Sequence, residues 1–229
     1  MKLVTVSGPP SSGKTSVIVH AAKAMRNGGL SVGIVKFDCL TTDDHLLYQR
    51  EGFPVAVGIS GNLCPDHFFV SNIEDCVLWG MQQHMDFLLV ESAGLCNRCS
   101  PHMKTAKAVC VIDNLMGINT PKKIGPMLKL ADIVVITKGD VVSQAEREVF
   151  AFRVRQANGQ GVILNVNGVT GQGGHEFGVL LLDTPDIGTV TGSQLRFSMP
   201  AALCSYCLGE TKIGRDFQMG NVRKMNFRS

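Results

Sequence analysis

Eight consecutive residues, Gly8-Pro9-Pro10-Ser11-Ser12-Gly13-Lys14-Thr15, fit the phosphate-loop spacing G-x-x-x-x-G-K-[ST] without a gap. Glycines let backbone N–H groups curl around phosphate oxygens, and a helix starting here turns its positive dipole end to the anion. In this reading Gly8, Ser11, Ser12, Gly13, Lys14, Thr15 and Ser16 contact the phosphate chain. Lys14 neutralises the β and γ phosphates, and the Thr15 hydroxyl holds Mg²⁺. Asp38 and Glu91 each close an apolar run, so both are expected at the carboxyl edge of a sheet beside this loop, ligating Mg²⁺ directly or through water. Gly94 is expected to answer the γ phosphate with its N–H. Lys14, Asp38, Glu91 and Gly94 are therefore the candidate catalytic set.

The cysteines carry a second chemistry. Cys96-Asn97-Arg98-Cys99 and Cys204-Ser205-Tyr206-Cys207 are two C-x-x-C pairs, a spacing that lets two thiolates grip one ion across a tight turn. Two pairs complete the four-sulfur shell of Zn²⁺ or anchor a [4Fe-4S] cluster, within one chain or across a dimer. A single pair also suits a redox dithiol. His102, close behind Cys99, is a possible further ligand. Cys39, Cys76 and Cys110 sit in or beside apolar segments and are expected in the core. His20, His45 and His84 fall on expected helices, as surface or capping groups.

The elements that must position these residues follow from periodicity. Strands are expected at Lys2–Ser7, Ser31–Phe37, Phe87–Glu91, Ala108–Asp113, Ile133–Thr137 and Val162–Val166, and a run of consecutive apolar residues such as Phe87–Glu91 suits a sheet covered on both faces. Helices are expected at Lys14–Asn27, Asp43–Glu51, Asn72–His84, Lys122–Leu130, Ser143–Gln156 and Gly174–Leu182. Gly52 to Cys64 reads as a mobile loop. The alternation predicts an α/β fold with a doubly wound, mainly parallel sheet. Residues 1–182 form the nucleotide domain in this reading, and 183–229 form a short cysteine-containing C-terminal tail.

The totals narrow the classes. The chain has 229 residues, 45% hydrophobic and 18% charged, enough for one large α/β domain and inconsistent with disorder. A net charge of +3 with scattered basic residues argues against a nucleic-acid partner. No apolar run reaches the roughly 20 residues a membrane-spanning helix needs, and no signal peptide precedes the first strand. A cytoplasmic protein is expected. Eight cysteines there stay reduced and point to metal.

Several segments, taken in order, resemble a known group of GTPases. Thr137-Lys138-Gly139-Asp140 resembles the [NT]-K-x-D element in which Lys138 and Asp140 recognise guanine, the carboxylate accepting both donors of the base edge. With Asp38 before Thr41-Thr42-Asp43, Gly61-Asn62-Leu63-Cys64-Pro65, Val90-Glu91-Ser92-Ala93-Gly94, Val111-Ile112-Asp113 and Ile124-Gly125-Pro126, it makes the chain similar to HypB and UreG, the nickel-delivering GTPases related to CobW. The likeness covers about residues 1–182 and implies a P-loop NTPase of the SIMIBI type. It also implies a GTP-driven homodimer whose interface metal site is sensed by the switch loops. The urease-type relatives bind nickel or zinc with Cys-Pro-His; here Asp66 is inserted between Cys64-Pro65 and His67. Cys96 stands where the hydrogenase-type relatives place a second cysteine. The histidine-rich nickel store of some relatives is absent. Pro9 and Pro10 replace the extra lysine of the nitrogenase-iron-protein-like ATPases.

The combined expectation is a GTPase, cycling GTP and GDP with Mg²⁺, that helps insert nickel or zinc into a client metalloenzyme with its assembly proteins. A nucleotide-gated iron–sulfur protein that donates electrons to or activates a metalloenzyme is the alternative. A non-catalytic scaffold with a structural zinc clip is a third reading.

Overall fold

Five of the six residues of β1, Lys2–Ser7, are buried, so the strand needs cover on both faces, and only a sheet interior supplies it. The structure, a computed structural model, describes residues 1–94, 100–197 and 210–227. In chain order β1 is followed by α1 (Lys14–Asn27), β2 (Val32–Asp38), α2 (Asp44–Arg50), β3 (Val55–Ile59), α3 (Pro65–Gln82) and β4 (Phe87–Glu91). Then come β5 (Lys107–Asp113), the single turns α4 (Thr120–Lys123) and α5 (Pro126–Lys129), β6 (Ile133–Thr137), α6 (Gln144–Ala157), β7 (Val162–Asn165) and α7 (Gly174–Leu182). Among the described residues the strands form one seven-stranded sheet, ordered β3-β2-β4-β1-β5-β6-β7. Every pairing is parallel.

β1 lies between β4 and β5, and the chain turns to opposite sides of it, leaving a crevice at the carboxyl ends of the strands. One face is covered by α1 and α7. Val17, Ile18, Ala21 and Met25 of α1 are buried there, and a Cβ on Gly178 of α7 would stand 3.2 Å from the Ala24 Cβ, so the two helices pack closely. The other face is covered by α3 through Phe68, Phe69, Ile73 and Val77, and farther along by Ile124, Met127, Phe150 and Val154.

The structure corrects several expectations. Val55–Ile59 is not loop but the edge strand β3, paired to β2 from Ile34↔Val55 to Asp38↔Ile59. Gly52 and Gly61, both left-handed, are the turns at its ends. α3 begins at Pro65, seven residues before the expected start, because proline at the first helical position is preset in φ and has no N–H to waste. His84 lies beyond that helix with φ 53°. The expected helix at Lys122–Leu130 is split by Gly125, at φ 70°, into α4 and α5.

The segment after α7 holds no strand among its described residues, yet it packs on the α3 face. Ile187, Val190, Leu195 and Ile213 are buried in one cluster with Leu3, Phe69 and Ile73. Arg196 anchors it, its guanidinium donating at 2.7 Å to each oxygen of Asp132 and also to the carbonyls of Met103 and Ala106. Burial alone would raise the Asp132 carboxyl, but this fork outweighs it and holds the carboxyl below the usual range.

Candidate functional site

The turn from β1 into α1 is strained where a ligand must approach. Gly8, Ser11 and Gly13 have φ of 152°, 60° and 88°. A Cβ on Gly8 would lie 2.0 Å from the Val111 carbonyl oxygen, so the turn presses on β5 with bare backbone. Gly13 has space, its imagined Cβ 3.5 Å from the Thr137 side chain; the positive φ is what requires glycine. The Thr137 hydroxyl donates to the Ser12 carbonyl at 2.7 Å and ties the end of β6 to the turn.

The turn opens on a cavity of about 370 Å³ lined in part by Lys14, Thr15, Ser16, Asp38 and Glu91. The buried Lys14 donates to the carbonyls of Gly8 at 2.9 Å and Pro9 at 3.0 Å. Burial, partly opposed by Glu91, lowers its pKa. Gly94, at φ 67°, crosses the turn so closely that its imagined Cβ would meet the Gly8 carbonyl oxygen at 1.8 Å. Asp38 accepts from the backbone N–H of Cys39 at 2.7 Å.

Glu91 is buried at the end of β4 and fully engaged. The Thr15 hydroxyl donates to it at 3.1 Å, Lys36 Nζ at 2.8 Å and the Tyr48 hydroxyl at 2.5 Å. Burial and then the Glu91 charge push the Tyr48 phenol well up, so it remains a donor. One hydroxyl and two carboxylates beside a phosphate cradle are the hard oxygen donors that Mg²⁺ prefers, so Thr15, Asp38 and Glu91 fit that ion.

At the other end of the edge, Lys138 has φ 55°, and its Nζ lies 3.1 Å from the buried Asp113. Asn114 donates to the Thr137 carbonyl at 2.8 Å, and Asp140 is exposed in the following turn. The Thr137–Asp140 segment thus begins where β6 touches the phosphate turn.

The metal candidates divide. Cys64 is half-buried at the start of α3. His67, 1% exposed, places Nε2 3.1 and 3.0 Å from the two carboxylate oxygens of Glu210. His102 does not face outward: it is fully buried, with Nδ1 3.0 Å from the Thr5 hydroxyl and Nε2 3.1 Å from Ser7 and 3.2 Å from the Met127 carbonyl. Burial, reinforced by Arg196, lowers its pKa to about 4. Both ring nitrogens are occupied by the protein, which leaves none for a metal in this conformation. Cys96, Cys99, Cys204 and Cys207 lie outside the described residues. Among those residues no group of three or more His, Cys, Asp or Glu side chains converges as a metal site.

Cys76 and Cys110 are buried; desolvation pushes the Cys110 thiol up to about 12 and the Cys76 thiol well above its ordinary value. Cys39, expected in the core, is instead half-exposed at the carboxyl edge. His20 and His45 are half-buried, His20 placing Nε2 3.0 Å from the Gly168 carbonyl oxygen.

Lys36, Asp44 and Tyr48 escaped the sequence reading as site residues. One signal was available: Lys36 is the lone charge inside the otherwise apolar run Val32–Phe37, and a buried lysine demands acids nearby.

Bare N–H groups at a strand-to-helix turn, with a lysine and a hydroxyl aimed into the same cavity, suit the phosphate chain of a nucleotide, and the sheet around them is that of P-loop nucleotide-binding proteins. Comparison with known proteins narrows this class. The family model described as CobW/HypB/UreG, nucleotide-binding domain, matches residues 2–165, and the chain belongs to that family. An uncharacterised protein of Methanocaldococcus jannaschii is 46% identical over 226 residues, 99% of this chain and 97% of that one. The urease accessory protein UreG of Trichodesmium erythraeum is 29% identical over 147 residues, 59% of this chain and 68% of its own length. Among solved structures, the hydrogenase maturation factor HypB of Archaeoglobus fulgidus matches with a TM-score of 0.62 at 20% identity, covering 80% of this chain and 89% of that one. HypB of Helicobacter pylori in complex with nickel matches with 0.62 at 18%, covering 80% and 86%. At such identities the likeness is one of fold. Among the described residues no helix is long and apolar enough to cross a membrane.

Proposed function

We propose that the chain hydrolyses GTP and couples turnover to delivery of a thiolate-bound metal ion, nickel or zinc, to a client metalloenzyme or its assembly proteins, acting as a homodimer. The observation that carries this reading is where the cysteine segments join the described fold. The connection bearing Cys96 and Cys99 leaves from Gly94, packed on Gly8 of the phosphate turn, and returns at Ser100 and His102, buried against Ser7. The segment bearing Cys204 and Cys207 rejoins at Glu210, on His67 in the first turn of α3, next to Cys64. The described residues that flank the first cysteine segment therefore lie at the turn after β1, and Glu210, just past the second, lies on the first turn of α3.

The polar groups of the cavity satisfy one another. Lys14 must leave the Gly8 and Pro9 carbonyls to meet the phosphates, and the Thr15 hydroxyl must release Glu91. Mg²⁺, when bound by Thr15 with Asp38 and Glu91, supplies positive charge to the phosphate oxygens. Glu91 orders water at the carboxyl edge, and the Gly94 N–H reads whether a γ phosphate is present. Loss of that phosphate frees Gly94 and the cysteine segment behind it, an order–disorder change that loosens the cargo ion. Lys138 and Asp140 select guanine.

The test is anaerobic purification followed by metal analysis with GTP, with GDP and without nucleotide, beside a GTP turnover assay. Bound nickel or zinc whose affinity changes with the nucleotide, together with Mg²⁺-dependent turnover, is expected, and reciprocity requires GTP affinity to depend on the metal. In Cys96→Ser the nucleotide dependence should vanish; if it persists, the coupling does not run through that thiolate. A brown protein with broad visible absorption replaces the metallochaperone reading with the iron–sulfur one. No turnover with metal present, and unfolding on chelation, replaces both with a zinc-clipped scaffold.

A further inference from the structure

Lys36 is 3% exposed near the end of β2 and lines the nucleotide cavity with Lys14. Its Nζ lies 2.8 Å from Glu91 Oε1, 2.7 Å from Asp44 Oδ2 and 3.6 Å from Asp38 Oδ2. Three carboxylates from β2, α2 and β4 thus share one ammonium. Tyr48, one turn beyond Asp44 on α2, donates to Glu91 Oε2, so the acid is gripped at both oxygens. Lys36 and Glu91 are buried, which is costly unless the two charges are paired, whereas Asp38 and Asp44 stay partly exposed.

The charge count gives the need. Along the cavity two lysines, Lys14 and Lys36, face three carboxylates, Asp38, Asp44 and Glu91, leaving one negative charge. Without the Lys36 ammonium two would remain, a lining that attracts a free divalent cation and repels a triphosphate. We propose that Lys36 is the resident cation of this site, a positioning residue that fixes Glu91 and Asp44 and offsets their charge so that Mg²⁺ enters with the nucleotide rather than ahead of it. The proposal rests on the nucleotide-hydrolysing reading above and adds to it a residue outside the phosphate turn. It also joins α2 to the acid of β4 through one side chain.

The experiment compares the wild type, Lys36→Met, Lys36→Arg and Lys36→Met/Asp44→Asn by calorimetric titration with Mg²⁺ alone, titration with GTP, and turnover, after thermal melting has established folding. At effective interior dielectric a full charge a few ångströms away changes ion affinity by about tenfold or more. Lys36→Met is expected to bind Mg²⁺ alone about tenfold more tightly and GTP about tenfold more weakly, with kcat reduced on the order of a hundredfold. Lys36→Arg keeps both affinities. The double variant, its charge count restored, recovers GTP affinity but not kcat, because Glu91 has still lost its anchor. A residue needed only for folding would weaken both ligands together, and that result, or unchanged affinities in Lys36→Met, overturns the proposal. If Lys36→Met fails to fold, Asp44→Asn decides: it should weaken Mg²⁺ alone and strengthen GTP, and the opposite signs overturn the proposal. A wild type that binds no GTP defeats the underlying reading instead.

Discussion

His102 has its ring closed between Thr5, Ser7 and the Met127 carbonyl, and its pKa of about 4 makes a testable statement about stability. The native state binds its proton less readily than the unfolded chain, whose histidine titrates near 6.5. The contribution of the neutral ring is therefore complete above pH 6.5 and is lost as pH falls toward 4, amounting to about 3 kcal/mol. Arg196 reinforces this sign, and the Met127 carbonyl and then Asp132 oppose it. His102→Gln is expected to be less stable at pH 7.5 and to show a flatter loss of denaturant midpoint between pH 6.5 and 4. An unchanged slope would mean that the ring is not held neutral. At this scale the tight turn at Gly8–Thr15 was legible because its glycine spacing is a backbone requirement. The destination of His102 was not, since nothing in a string shows which hydroxyls will face a ring.

Among the elements, the loop after β4 has the tightest constraint. At Gly94 any Cβ meets the Gly8 carbonyl oxygen, and φ is 67°, so neither partner can yield by a side-chain rotation. Gly94→Ala should cost about 1–2 kcal/mol for the backbone conformation alone. It should also lift the loop from the phosphate turn, lowering GTP turnover more than GDP affinity; equal loss of both would deny Gly94 a role in sensing the γ phosphate. β3 shows how composition misleads at this scale. Gly52, Gly58 and Gly61 made the stretch look loose, yet two of them only turn the chain and the third makes room, since a Cβ there would stand 2.8 Å from the Phe37 ring. An edge strand with one neighbour carries too weak an apolar signal to outvote its glycines.

The molecule as a whole depends on the segment beyond α7. Ile187, Val190, Leu195 and Ile213 each contribute roughly 1.5–3 kcal/mol by burial, together comparable with the 5–15 kcal/mol that stabilises a domain. A chain ending at Leu182 is expected to melt well below the full chain or to aggregate; an unchanged melting temperature would make the packing on α3 incidental. The sequence by itself determined the parallel α/β order, the strand-to-helix turn at Gly8–Thr15 and the acids at the strand ends, because each follows from local periodicity, backbone conformation or position on a strand. Only tertiary structure decided that Lys36 gathers Asp38, Asp44 and Glu91, that His102 is spent inside, and that Glu210 returns to His67. The contacts of Lys36 with Glu91, of His102 with Thr5 and of Glu210 with His67 join residues far apart in the chain, and their burial exists only once the sheet and its covering helices have closed.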